Sequence, residues 1–245
     1  MTLRYALLDG VAASAAEVAA ADPRLRDPVP PGVYETMLVR RGLPVLAGAH
    51  VQRHAASCAS LGLDAPATPR LLAAAYDAAA RCPGRGRLRL LRWAGDDGET
   101  RSIVTAEEEP PPKRRTTLAI APSRREAGDG DRYRHKRLDA PDLERMRTVA
   151  TAAGRLDMLI LDERGIVLEG ARTNLFWRVG RTLFTPTATL PLLPGIRRAW
   201  LLAAAQRAGF ETREVEAPLD EVQAADEVLV TNAILGVVRR ASIES

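Results

Sequence analysis

Hydrophobic and polar positions change their spacing several times along residues 34–109, and each change predicts a different element. Apolar residues at intervals of three and four predict helices over 49–63 and 70–82, the second ended by Pro83-Gly84. Alternating or continuously apolar segments predict strands. They are two short strands within 34–48 around the turn RRG, and a pair at 86–95 and 100–109. The region is therefore predicted to be an α+β unit.

The second half of the chain contains more predicted strands than helices. Helical spacing of apolar residues predicts helices over 143–154 and 194–209, and a polar loop is predicted over 126–134. Apolar runs bounded by glycine or charged turns predict strands. These are 116–122, hairpins at 157–170 and 174–186, a strand at 211–217 and strands within 225–240. This half is therefore expected to be rich in strands.

Three consecutive prolines, Pro110–Pro112, lie between the two halves in the segment EEEPPPKRR. Proline cannot continue a helix or a central strand, so this segment is predicted to be a linker, with Lys113 exposed to solvent. The predicted domains are a smaller N-terminal α/β domain at 1–109, the linker at 110–116 and a larger strand-rich C-terminal domain at 117–245.

The composition is that of a folded protein. Hydrophobic residues make up 46% of the 245 residues, enough for a sizeable core, and the 27% of charged residues is an ordinary share. The net charge of +4 is scattered, so no nucleic-acid partner is expected, and no apolar run predicts a membrane span or a signal peptide. Cys58 and Cys82 allow one disulfide, but a reducing, cytoplasmic location is expected.

Lys136, in the segment RYRHKRLDA, is one of only two lysines among 35 lysine and arginine residues. A lysine amine can form a Schiff base and transfer protons, whereas an arginine guanidinium stays protonated and is a poor nucleophile. Lys136 is therefore a candidate for covalent chemistry. The alternative is an ordinary solvated basic residue among its charged neighbours.

Four further features could have chemical roles. Glu169 ends an apolar strand and could face a cationic ring nitrogen, or be a plain hairpin-end charge. Gly195 opens a helix whose free N–H groups could bind phosphate, and Arg53 could assist or only face solvent. The segment VTNAILG (230–236) could supply more N–H groups or simply leave a strand. Together with Lys136, these features match the requirements of pyridoxal 5′-phosphate (PLP).

Five segments, in order, resemble the class IV aminotransferases, the fold-type IV PLP enzymes, from about residue 32 to 240. They are GVYETMLVRRGLPVLAGAHVQRHAASCASLGL, HKRLD, LILDERGIVLEGARTNLFW, LLPGIRR and ADEVLVTNAILGVV. The resemblance implies a two-domain α/β fold with PLP in the interdomain cleft. It also implies a homodimer acting on a small anionic amino-substrate, with no metal.

The resemblance also assigns roles to individual residues. Lys136 is expected to form the Schiff base with PLP and to move protons, and Glu169 to pair with the pyridine nitrogen. The remaining predicted cofactor contacts fall into three groups. They are Arg53 with the N–H groups of Ile196 and Arg197 on the phosphate, Asn232 and Ala233 on its other side, and Arg172, Thr173 and Asn174 along the ring edge.

Three positions depart from the family pattern. DPVPPG stands where the family usually has a GDG tripeptide before its first motif. Arg197 replaces a threonine, which removes one hydroxyl from the expected phosphate site. Pro141 stands where a tyrosine often follows the lysine by five residues.

Within the family, NLFWRVGRTLFTP and TNAILG resemble the aminodeoxychorismate lyase branch, which would place the chain in folate biosynthesis. A D-amino-acid or branched-chain transaminase is the alternative, since Tyr34 resembles a transaminase residue that holds the substrate carboxylate. A non-catalytic relative of the fold is a second alternative. Tyr34 and Arg92 are the predicted substrate contacts, and Arg40 and Arg41 could also meet an anionic substrate.

Overall fold

The computed structural model describes residues 2–112 and 115–244, so the predicted exposure of Lys113 concerns a residue outside the described ones. The chain divides into two compact units. The N-terminal unit comprises 1–112 together with 135–139, and the C-terminal unit comprises 113–134 together with 140–245. The short segment 135–139, which contains Lys136, therefore belongs to the N-terminal unit, whereas the sequence grouped it with 117–245.

The N-terminal unit is built on a six-stranded sheet with the strand order β2-β1-β6-β5-β3-β4. Its strands are β1 (Thr2–Leu8), β2 (Val11–Ala12), β3 (Gly32–Arg40), β4 (Leu43–Pro44), β5 (Arg85–Ala94) and β6 (Thr100–Glu108). Its helices are α1 (Ala15–Ala21), α2 (Ala47–Ser60) and α3 (Thr68–Ala80). The helices α2 and α3 agree with the predicted ones to within a few residues.

Alternation along β3 and β5 determines where the core of this unit forms. Met37 and Val39 on β3, and Leu88 and Leu90 on β5, are buried against α2 and α3. Side chains one position along each strand lie on the opposite face, because successive residues of a strand point to opposite sides. Tyr34 therefore lies on the face that α2 and α3 do not cover.

The first 31 residues contain structure that the hydrophobic pattern did not predict. Helix α1 begins at a capping box, in which the Glu17 amide donates to the Ser14 hydroxyl and the Ser14 amide donates to the Glu17 carboxylate. The spacing S-x-x-E is a sequence signal for a helix start. The hydrophobic pattern does not indicate this helix, because the helix has only seven residues and no buried side chain.

The C-terminal unit contains a nine-stranded sheet in which the path β12-β11-β10-β9-β8-β7-β15 is joined by β13, paired with both β10 and β14. Its strands are β7 (Thr117–Arg125), β8 (Asp157–Asp162), β9 (Val167–Gly170), β10 (Asn174–Val179), β11 (Thr182–Pro186), β12 (Glu211–Val215), β13 (Glu227–Asn232), β14 (Gly236–Arg239) and β15 (Ser242–Glu244). Its helices are α4 (Gly130–Arg134), α5 (Pro141–Ala152), α6 (Ile196–Arg207) and α7 (Leu219–Gln223).

Part of the predicted polar loop at 126–134 is helical, with a 3₁₀ turn at Ala127–Asp129 followed by α4. The prediction of a loop was wrong there because Tyr133 is buried, and tertiary packing stabilises a helix that local polarity does not indicate. Among the described residues, no helix combines the length and the apolar character that a membrane crossing requires.

Candidate active site

Lys136 lies on a short extended segment that pairs with the start of β3. The Tyr34 amide donates to the Lys136 carbonyl oxygen at 2.9 Å, and the Leu138 amide donates to the Gly32 carbonyl oxygen at 2.8 Å. A side chain at Gly32 would meet the Arg92 carbonyl oxygen at 2.6 Å and a Leu138 methyl at 2.7 Å, so glycine permits this close approach. The lysine segment joins the N-terminal unit through these backbone contacts.

The amine of Lys136 lies over an aromatic ring. Its Nζ atom is 4.3 Å from the centroid of the Tyr34 ring, which is cation–π geometry. The preceding residue, His135, is also held, because its Nδ1 atom lies 3.0 Å from the hydroxyl of Ser57 on α2. The structure thus brings together the predicted Schiff-base lysine and the predicted substrate contact Tyr34.

Arg53 does not lie on the solvated face of α2. Its Nε and Nη2 atoms donate to the two carboxylate oxygens of Glu35 at 2.6 and 3.0 Å, and His50 Nδ1 is 2.7 Å from the same carboxylate. Burial alone would raise the pKa of Glu35, but the Arg53 charge and the His50 hydrogen bond outweigh it and lower this pKa to about 2. Glu35 therefore orients Arg53, a role the sequence reading missed.

Arg92 and Tyr34 lie on opposite faces of the N-terminal sheet. Tyr34 pairs with Leu91 across β3 and β5, and Arg92 pairs with Val33. Arg92 donates to the Asp64 carbonyl oxygen at 2.8 Å, and burial lowers its pKa. The structure therefore does not bring the two predicted substrate contacts together, because neighbours along a strand alternate in direction.

A register shift turns Glu169 away from the main core of the C-terminal unit. Leu161 pairs with Val167, but the preceding Ile160 pairs with Glu169, so Leu168 is an extra residue on β9. Val167 is buried in the core cluster around Trp177, and simple alternation would point Glu169 into that cluster. The bulge instead places Glu169 on the face shared by Ile160 and Leu168, as bulges re-aim side chains.

The Glu169 carboxylate is buried, and its hydrogen-bond donors include Arg125, Asn174 and the Leu193 amide. Arg125 Nη1 donates at 2.7 Å and the Leu193 amide at 3.2 Å to one oxygen, and Asn174 Nδ2 donates at 3.2 Å to the other. The ordinary hairpin-end charge is therefore not what the structure shows, since such a residue would be solvated. Arg125 was not singled out by the sequence, because an arginine at a strand end gives no local signal.

Helix α6 begins next to Asn174, one of the hydrogen-bond donors to Glu169. A side chain on Gly195 would come within 1.8 Å of Asn174 Oδ1, and Asn174 also donates to the Leu193 carbonyl oxygen at 2.8 Å. Gly195 is the N-cap residue and makes no side-chain cap hydrogen bond to the first turn of the helix, which begins at Ile196. The Arg197 guanidinium lies 5.1 Å from the Trp200 ring.

The turn after Glu169 is held from below by a buried carboxylate. Asp157 accepts hydrogen bonds from the Arg172 amide at 2.9 Å and from the Thr173 hydroxyl at 2.8 Å, and burial raises its pKa. The Thr173 hydroxyl is thus directed to Asp157. Asn232 connects a second loop to this turn, because its Nδ2 atom donates to the Arg172 carbonyl oxygen at 3.0 Å.

Asn232 also organises the turn that contains Ala233. Its Oδ1 atom accepts the amides of Ile234 and Leu235 at 2.7 and 3.0 Å, so its side chain is used within the turn. On the adjacent strand position, Thr231 pairs with Asn174 across β13 and β10. The Thr231 hydroxyl is buried, and the described residues provide it with no hydrogen-bond partner.

The donors and acceptors of the C-terminal unit fit the PLP groups expected there. A buried carboxylate suits a protonated ring nitrogen, and an uncapped helix N-terminus suits a phosphate. The Thr231 hydroxyl has no hydrogen-bond partner among the described residues and lies on the same sheet face as Asn174. It provides a hydroxyl near the site, where the family's threonine hydroxyl is missing because Arg197 replaces it. In the N-terminal unit, the Lys136 amine suits the cofactor aldehyde.

Known proteins share both sequence and fold with this chain. Residues 32–243 match the Amino-transferase class IV family. The aminodeoxychorismate lyase of Bacillus subtilis (strain 168) is 33% identical over 90 residues, which are 37% of this chain and 31% of that protein. The branched-chain-amino-acid aminotransferase of Escherichia coli (strain K12) is 37% identical over 78 residues, 32% of this chain and 25% of that protein. The matched segments therefore span about a third or less of these relatives.

A solved structure, a hypothetical aminotransferase from Mycobacterium tuberculosis in its PLP-bound form, superposes with a TM-score of 0.80. It is 22% identical, and the match covers 98% of this chain and 91% of that one. The two chains therefore have the same fold.

Proposed function

Because this chain belongs to the class IV aminotransferase family, whose members are PLP-dependent enzymes of fold type IV, we propose that it is a 4-amino-4-deoxychorismate lyase. The family, the fold and the cofactor predicted from the sequence are confirmed. The choice of reaction and the roles of individual residues are part of the proposal.

The observation that carries the proposal is the placement of Lys136. It is the only lysine among the described residues, its backbone is tied to β3, and its amine lies 4.3 Å from the centroid of the Tyr34 ring. Covalent attachment of an aldehyde requires a lysine whose backbone and amine are held in position, because the reacting atoms must be correctly placed.

Bound PLP supplies an electron sink that stabilises negative charge on a substrate atom. Lys136 would hold the cofactor through Nζ, and the same atom would accept the proton from the substrate ring carbon. Loss of that proton and cleavage of the carbon–oxygen bond release the three-carbon side chain, which becomes pyruvate after taking up a proton. The six-membered ring becomes aromatic as 4-aminobenzoate, which provides driving force.

The C-terminal unit contributes groups that hold the cofactor. Glu169 would pair with the pyridine nitrogen and keep it protonated, and the hydrogen bonds from Arg125, Asn174 and the Leu193 amide hold the carboxylate in one orientation. The N–H groups of Ile196 and Arg197 at the start of α6 would hold the phosphate. In the N-terminal unit, Arg53, oriented by Glu35, is the group assigned to the phosphate.

Substrate recognition is assigned to the sheet face that carries Tyr34. Arg89 lies on this face, since it is two residues from Leu91, the cross-strand partner of Tyr34. Arg89 is half-buried and pairs with Glu107 at 3.2 Å. This face therefore offers a phenol and a positive charge to an anionic substrate, whereas Arg92 lies on the other face.

One observation favours the lyase over a transaminase. The segments NLFWRVGRTLFTP and TNAILG resemble the lyase branch. The transaminase is kept as the second candidate because the aminotransferase match has the higher identity and because of Tyr34. As in the family, we propose that the enzyme acts as a homodimer.

Absorption of the purified protein tests the cofactor assignment. The protein with PLP is expected to show a visible absorption band that borohydride abolishes. Lys136→Arg should lack this band and should lose at least about a thousandfold of its activity. The reason is that the guanidinium keeps the positive charge but cannot attach the aldehyde. Lys113→Arg is the matched control and should be indistinguishable from the unmodified protein. A borohydride-sensitive band that persists in Lys136→Arg would show that another residue binds PLP.

Product analysis separates the two candidate reactions. The enzyme is offered 4-amino-4-deoxychorismate in one assay, and D-alanine or branched-chain L-amino acids with 2-oxoglutarate in another. Formation of 4-aminobenzoate and pyruvate without amino transfer supports the lyase. Amino transfer without formation of 4-aminobenzoate would contradict the lyase and support the transaminase. A colourless protein that is inactive in both assays would indicate a non-catalytic relative.

A further inference from the structure

Arg125 has an unusual environment for an arginine at the end of a strand. It is the last residue of β7, its side chain is only 3% exposed, and its Nη1 atom donates both to Glu169 Oε1 at 2.7 Å and to the Pro191 carbonyl oxygen at 2.6 Å. Its neighbour Arg124 is exposed. Burying a guanidinium costs free energy unless its charge is compensated, so this placement calls for an explanation.

The other side of the guanidinium packs against an aromatic ring. The Arg125 Cζ atom is 3.6 Å from the centroid of the buried Tyr133 ring, and the Tyr133 hydroxyl donates to Asp142 at 3.0 Å. Arg125 Nε and Nη2 are buried and have no hydrogen-bond acceptor among the described residues. The stacking therefore fixes the plane of the guanidinium and leaves Nη1 as the atom that bonds to Glu169.

Arg125 joins two parts of the C-terminal unit that the cofactor would contact. Glu169 lies on β9, whereas Pro191 belongs to the segment that leads into α6, the proposed phosphate helix. One Nη1 atom bonds to both, and the Leu193 amide bonds to the same carboxylate oxygen of Glu169. The position of the carboxylate is thus tied to the start of the helix.

We propose that Arg125 is a positioning residue that holds the Glu169 carboxylate ionised and correctly oriented for the ring nitrogen of PLP. This inference rests on the proposed function and goes beyond it, because Arg125 is assigned no contact with the cofactor and acts on it mainly through Glu169. Without the guanidinium, a buried carboxylate would lose its compensating charge, and it would take up a proton or turn away from the ring position. Either change weakens its bond to a protonated ring nitrogen.

A double-mutant cycle on PLP binding tests this directly. The dissociation constant of PLP is measured for the unmodified protein, Arg125→Met, Glu169→Gln and the double variant. Partners that orient a ligating group commonly contribute about 10- to 100-fold to affinity, so Arg125→Met is expected to weaken PLP binding at least about tenfold. In the Glu169→Gln background, Arg125→Met should change the dissociation constant less than about twofold, because its effect passes through the carboxylate.

Two further variants separate positioning from a general loss of structure. Arg124→Met removes an exposed charge one residue away and should leave PLP affinity unchanged within about twofold. Arg125→Lys keeps the charge but not the planar fork, and should recover part of the affinity lost in Arg125→Met. The pH dependence of the visible band should shift in Arg125→Met in the same direction as in Glu169→Gln. If Arg125→Met does not fold, Arg125→Lys replaces it in the cycle.

The possible results are distinguishable. If Arg125→Met weakens PLP binding equally in the unmodified protein and in the Glu169→Gln variant, the inference is overturned and the proposed function stays intact. Tenfold weaker binding confined to the Glu169 background, with partial recovery by lysine, would support it. Absence of a borohydride-sensitive band in the unmodified protein would overturn the proposed function, and with it the role assigned to Arg125.

Discussion

Replacing Glu35 by glutamine should remove a defined part of the acid sensitivity of this protein. Glu35 is 1% exposed, and its carboxylate accepts two hydrogen bonds from Arg53 and lies 2.7 Å from His50 Nδ1. These partners lower its pKa from 4.5 to about 2, even though burial acts in the opposite direction. The folded state therefore binds the Glu35 proton much less tightly than the unfolded state.

The size of the effect follows from that difference in pKa. A shift from 4.5 to about 2 corresponds to about 3 kcal/mol, at about 1.4 kcal/mol for each pKa unit. Because the pKa is lowered on folding, this stability is present above pH 4.5 and is lost as the pH falls towards 2. The slope of the unfolding free energy within this window should reach about 1.4 kcal/mol per pH unit from Glu35 alone.

Urea unfolding of the unmodified protein and of Glu35→Gln, followed by circular dichroism from pH 7 to pH 3, measures this slope. At pH 7 the variant should be less stable by about 3 kcal/mol, and the difference should shrink as the pH falls below 4.5. Glu163→Gln is a suitable control, since Glu163 is exposed in the turn between β8 and β9. A difference between the unmodified protein and Glu35→Gln that stays constant from pH 5 to pH 3 would refute the reasoning.

Three other changes have specific expected outcomes. His54 is buried, and burial is the main reason that its pKa is lowered to about 4. The protein should therefore lose about 3 kcal/mol of stability as the pH falls from 6.5 to 4. His54→Leu should abolish this loss, as urea unfolding can show. Gly195→Ala should weaken PLP binding at least about tenfold by displacing Asn174, whereas Gly48→Ala, with open space around it, should leave binding unchanged and stabilise the helix by about 0.5–1 kcal/mol. Tyr34→Phe keeps the ring beneath the lysine amine, so the visible band should persist while the substrate KM rises at least about fivefold, which steady-state kinetics can check.

Patterns within one segment predicted most of the helices and the key chemical residues. Helices α2, α3, α5 and α6 were predicted to within a few residues, because an amphipathic spacing is visible in the segment itself. Lys136 stood out because arginine supplies nearly every other positive charge, and Glu169 because a charge follows an apolar run. The family resemblance then connected these positions to PLP.

Only the tertiary structure determined which side chains meet. The bulge at Leu168 turns Glu169 to the face where Arg125 binds it, and a register shift of this kind depends on the pairing of β8 with β9 rather than on either strand alone. The pairing of β3 with β5 likewise separates Tyr34 from Arg92, two residues that the sequence had placed together.

The lysine segment illustrates the same division. The sequence by itself identified Lys136, since the chemistry of an amine belongs to the residue type. It could not show that residues 135–139 belong to the N-terminal unit and pair with β3, although the residues on either side belong to the C-terminal unit. Backbone hydrogen bonds between distant segments produce no local sequence pattern. Residue identity thus determined what chemistry was available, and strand register and long-range pairing decided which groups could take part in it.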